Sequence, residues 1–153
     1  MLRDIRDLSI SINTARAGHF DTYYYGNLGM INAGHNNDYP LLLLLPPTSS
    51  FNSVYKNDET VTCVFHCYQP MPTPETAVIG VNALAFSIEN SHDELLSQLK
   101  KTLETLSLNN EYQYILTGSW QVERIQEEFN DGLVGIVVTC SINKFTHCLA
   151  QVQ

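Results

Sequence analysis

The stretch "YPLLLLLPP", residues 39–47, sets five leucines between proline stops, and its reading decides the fold. A membrane span needs about 20 apolar residues, so this run is a buried segment of a globular fold. Pro40, Pro46 and Pro47 bracket it, and proline neither continues a helix nor donates to a central ladder. One helical turn of leucines would bury little, so the run reads as an extended strand. Side chains alternate faces along a strand, so leucine at every position means that both faces are covered. Each buried leucine contributes roughly 1.5–3 kcal/mol, which places this strand at the centre of the core.

Working outward, 153 residues make one domain, residues 1–153, large enough to bury about two thirds of its unfolded surface. Hydrophobic content of 44% suits a packed globular chain. Sixteen acidic residues against eight basic ones give a formal charge of −8, which repels phosphate and argues against a nucleic-acid-binding face. Residues 1–30 carry no basic-then-apolar signal, and no apolar run reaches membrane length. The expected location is therefore the cytoplasm, or an assembly built there, with no membrane partner.

Before the leucine run, Leu2, Ile5, Leu8, Ile12 and Ala15 form a helical stripe that Gly18 ends. Residues 18–38 read as a long loop, rich in glycine and asparagine and without period. Loops this long are usually functional. Tyr23, Tyr24 and Tyr25 at its middle either dock a partner or fold back onto their own domain. After the leucines, residues 50–57 suit an edge strand, and residues 59–68 alternate as a β-strand. Thr73, Pro74 and Glu75 mark a helix start. From there Ala77, Val81, Leu84, Ile88, His92, Leu95, Leu99, Leu103 and Leu106 follow at helical steps. One helix over 74–107 would be about 50 Å long in a domain about 40 Å across. The capping box Ser91-His92-Asp93-Glu94 therefore predicts a break at Asn90–Ser91, giving two helices or one kinked helix. Over residues 111–125, Tyr112, Tyr114, Leu116, Trp120 and Val122 share one parity against polar residues on the other. Asn130, Asp131 and Gly132 turn the chain. Residues 133–145 return as an apolar strand, expected beside the leucine strand. The expected class is α+β: one mixed or antiparallel sheet of about five strands, with an N-terminal helix and a central helical segment mostly on one face.

Chemistry finds little footing. No nucleophile elbow, P-loop, dinucleotide fingerprint or paired-histidine zinc motif occurs. Cys63-Val64-Phe65-His66-Cys67 suggests zinc, but on a strand the two cysteines share a face that His66 leaves, and no second knuckle matches. His19, Asp21 and His35 have no metal-selecting spacing. Glu123, Glu127 and Glu128 read as solvated turn residues. Without a secretory signal the four cysteines, Cys63, Cys67, Cys140 and Cys148, read as free thiols. No catalytic residue, cofactor or metal is expected.

Three stretches carry a resemblance. They are the first helix and glycine–tyrosine loop leading into "YPLLLLLPPTSSF", the helix around "DELLSQLKKTLETL", and the hairpin "WQVERIQEEFNDGLVGIVVTCSI". In order and phrasing they resemble the tail-terminator or tail-completion proteins of tailed bacteriophages, small neck proteins where tail meets head connector. The segment 69–90, with its "QPMPTPE", departs from that pattern and reads as an insertion. The resemblance implies a structural virion protein. It would form a homo-oligomeric ring of six or twelve copies, bind portal or connector and tail or tail-hub proteins, and let packaged DNA pass without sequence-specific contact. Ring closure uses heterologous interfaces, for which Tyr23, Tyr24 and Tyr25 and the turn Asn130, Asp131 and Gly132 are the contact candidates. The alternative is a monomeric adaptor domain binding one protein through the same tyrosines. A small enzyme using Cys63, Cys67 or His66 is the third reading.

Overall fold

The computed structural model describes residues 2–29, 31, 38–51, 58–72, 83–108, 113–128 and 132–145. In chain order it builds helix α1 (Leu2–Ala15), strands β1 (Thr22–Tyr25), β2 (Leu41–Leu44), β3 (Thr48–Phe51) and β4 (Asp58–Pro70), helix α2 (Ala83–Leu108), and strands β5 (Gln113–Glu128) and β6 (Leu133–Phe145). The strands form one six-stranded sheet in the order β1-β2-β4-β6-β5, with β3 pairing the outer part of β4. Only β1 and β2 run parallel; the remaining pairs are antiparallel. The α+β class with a single mixed sheet and two helices is as the sequence reads.

The leucine run behaves as its composition demands. Leu41, Leu42, Leu43 and Leu44 are all buried completely. Leu42 and Leu44 join the large core beneath the helices, together with Leu8, Ile12, Leu95, Leu99, Phe65 and Val138. Leu41 and Leu43 face the other way, into a smaller cluster with Ile31, Tyr68 and Leu133, against which Leu28 and Tyr39 also pack. The connection from β1 to β2 thus supplies the second cover, and the helices supply the first.

Four differences from the sequence reading have physical causes. Thr22–Tyr25 is a strand within the expected loop. Its alternation is too short to register locally, and it exists because its backbone pairs with Leu41–Leu44. The leucine strand lies next to that edge strand, and β6 lies beside β4 with β5 on its other side. An apolar run therefore marks an interior strand without naming its neighbour. The edge strand after the prolines is Thr48–Phe51; residues 52–57 lie outside the described residues. Finally, α2 runs through Asn90–Ser91 unbroken. Ser91 is buried, and its hydroxyl donates to the Ser87 carbonyl one turn earlier at 3.1 Å, so it extends the helix instead of capping a new one. The helix start expected at Thr73 lies outside the described residues.

The β4–β6 pairing fixes everything else. Gly135 sits opposite Tyr68, and the Tyr68 ring lies across it. A Cβ at 135 would fall inside that ring and 2.7 Å from the Cys67 carbonyl. Gly135→Ala is expected to cost about 1–3 kcal/mol through overpacking. Thermal unfolding should show this as a midpoint lower by roughly 2–12 °C. An unchanged midpoint would mean that the ring moves aside freely.

Candidate functional site

The sheet sorts the three tyrosines individually. Tyr23 pairs with Leu42 and packs against the helix-side core. Its phenol and the Ser9 hydroxyl on α1 share a 2.8 Å hydrogen bond. Burial pushes its pKa up to about 12, with the Ser9 bond opposing in part. Tyr24 turns to the smaller cluster on the opposite face. Tyr25 remains 37% exposed, and with Ile10 and Phe86 it is one of the exposed large apolar side chains among the described residues.

At the far end of the hairpin, Gly132 has φ +63°, the left-handed turn conformation that favours glycine. Its carbonyl accepts the Met71 amide at 2.8 Å, which ties the hairpin end to the end of β4. Asn130 and Asp131 lie outside the described residues. Tyr25 is in register with Leu44, Phe65 and Val138. From there Gly132 lies three strands across and six residues along, roughly 25 Å away at standard sheet spacings. The sheet therefore keeps the two contact candidates on separate surfaces.

The cysteines and His66 diverge. Cys63 and Cys67 face the helices and are fully buried, as is Cys140 nearly so; all three are free thiols. Cys63 and Cys140 lie directly opposite one another. Burial pushes every one of these thiols up, Cys140 to about 12, so they stay protonated and unreactive at neutral pH. His66 lies on the opposite face, its Nδ1 2.8 Å from the Tyr68 hydroxyl. Along the same row come Val137 and then exposed Glu123. Burial lowers the His66 pKa, and the Glu123 charge partly restores it. Among the described residues no three His, Cys, Asp or Glu side chains are grouped to hold a metal. Asp21 is exposed, and His35 lies outside the described residues.

Two features escaped sequence reasoning. The first is the placing of Glu123 in the row of His66, beside the His66–Tyr68 pair, which arises only through the β4–β6–β5 register. The second is the partner of His92, which sits in the α2 stripe as its spacing predicts, 2% exposed. Its Nε2–H donates to the Ile125 carbonyl at 3.0 Å, beside the bulge between Ile125 and Glu128 where the ladder to β6 is interrupted. Its Nδ1 has no hydrogen-bond partner, and the ring ties α2 to the end of β5 through Nε2.

Neither the known protein families nor the curated proteins contain a match to this chain. No helix among the described residues is long and apolar enough to cross a membrane.

Two measurements check the buried titratable groups. A histidine whose folded pKa lies below its unfolded value of about 6.5 binds fewer protons when folded. Stability should therefore fall as pH drops through the unfolded pKa towards the folded one. His66→Gln should flatten that acid limb, and Glu123→Gln should steepen it; identical limbs in all three proteins would show that His66 does not set it. For the thiols, a Cys148→Ser protein should take up essentially no iodoacetamide at pH 8 while folded and three equivalents when unfolded. Rapid native labelling would contradict their burial.

Proposed function

We propose that the chain is a structural virion protein of a tailed bacteriophage. It forms a ring in the neck or tail that joins portal or connector to tail and surrounds the DNA channel. The observation that carries this reading is the separation of the two candidate contact surfaces. A ring closes only through heterologous contacts, in which one face of a subunit meets a different face of the next. The β1 edge with exposed Tyr25 and the hairpin end at Gly132 are two such faces on one rigid sheet. The element order, from first helix through leucine strand and long helix to closing hairpin, is the one on which the resemblance rests. The net charge of −8 suits a conduit through which DNA slides without adhering.

Native mass spectrometry of the purified chain, with negative-stain images, tests the proposal. The expected result is a closed ring of six or twelve copies that Tyr25→Ala weakens. A clean monomer at every concentration, alone and with portal or tail preparations, would remove the ring and favour the single-partner adaptor.

A further inference from the structure

A sheet joins other chains through its edges, where backbone N–H and C=O groups lie open. On one side this sheet ends in β1 and β3, four residues each, with Pro46 and Pro47 between β2 and β3. Short strands and prolines blunt an edge. On the other side it ends in β5, sixteen residues long, where an ordinary strand has about 5–6. No strand among the described residues pairs with the outer edge of β5. Residues 113–128 contain neither proline nor lysine, the residues that most often guard an edge. Between its two bulges, Gln121 to Ile125 runs in regular register with β6.

We propose that this edge is a self-association site, at which β5 pairs antiparallel with β5 of a second copy about a twofold axis through Val122. Length selects the occupant: among the described edges, only β5 matches β5. A twofold axis perpendicular to the sheet keeps equivalent residues on the same face, so one residue must sit on the axis. An axis at Glu123 would set two carboxylates directly opposite, which is unfavourable. An axis at Gln121 would leave Arg124 opposite Gly118. At Val122, each valine meets its copy, Gln121 faces Glu123 and Trp120 faces Arg124, each pair occurring twice by symmetry. Gln121, Glu123 and Arg124 are exposed and Trp120 is half-buried, so an amide donates to a carboxylate and a guanidinium meets an indole face. The Ile125 carbonyl is already held by His92, which ends the added ladder at Ile125 and, by symmetry, at Ser119. This contact is independent of the ring proposal. It is isologous, so a chain without a ring is a dimer, and a ring of six that also uses it doubles to twelve.

The test is site-directed crosslinking of the full chain in a Cys148→Ser background, with circular dichroism confirming the fold. Under copper–phenanthroline oxidation, Val122→Cys should give a covalent dimer on non-reducing gels, and Glu123→Cys should give about tenfold less. By light scattering after gel filtration, Arg124→Glu should weaken the dimer about tenfold or more. A wild-type monomer at high concentration overturns the proposal. So does a dimer that Arg124→Glu leaves intact, or one in which position 123 crosslinks as readily as 122.

Discussion

The structure depends on the register between β4 and β6. Two thirteen-residue strands pair end to end, from Asp58 opposite Phe145 to Pro70 opposite Leu133, without a shift. A slip of one residue would exchange the faces of a strand. Val61, Cys63, Phe65 and Cys67 would leave the helices, and Thr62, Val64, His66 and Tyr68 would replace them. Two features pin the correct register. One is the apolar set of β4 and β6 beneath α1 and α2; the other is Tyr68 lying over the bare backbone of Gly135. Glycine opposite an aromatic gains the packing that it lacks alone.

From that register the distribution of chemistry follows. One face receives the thiols, which serve as small apolar side chains between sheet and helix. The other receives His66, Tyr68 and, across Val137, Glu123. The same alternation separates Tyr23, held inward by Ser9, from Tyr24 on the opposite cluster. Among the described residues the sheet presents an edge with Tyr25, a hairpin end at Gly132 and a long strand β5. The two bulges in β5 interrupt its ladder to β6 on either side of Gln121–Ile125.

Much of this was legible in the residues. The α2 stripe, from Ile88 through His92 to Leu106, is buried as its spacing predicts. Gly18, at φ +84°, closes the turn after α1, where Arg16 donates to the Phe20 and Asp21 carbonyls. The alternation of β5 keeps its phase past Thr117 because the bulge inserts two residues and so preserves parity. The contact candidates were less legible. Three adjacent tyrosines look equivalent in a string, yet their fates differ because a strand alternates and its two faces have different covers.

The sequence by itself determined the class of each long element, the covering of the leucine run on both faces, and the opposed faces of Cys63 and His66. These follow from periods of 3.6 and 2, which need only near neighbours in the chain. The tertiary structure decided that Thr22–Tyr25 is a strand, that β4 separates β2 from β6, that Ser91 continues its helix, and that β5 is outermost among the described strands on its side. Each of these depends on pairing or burial between residues distant in sequence, such as Tyr25 with Leu44 or His92 with Ile125. Local patterning leaves such pairings open, because many arrangements bury the same apolar faces and only the packed whole selects one.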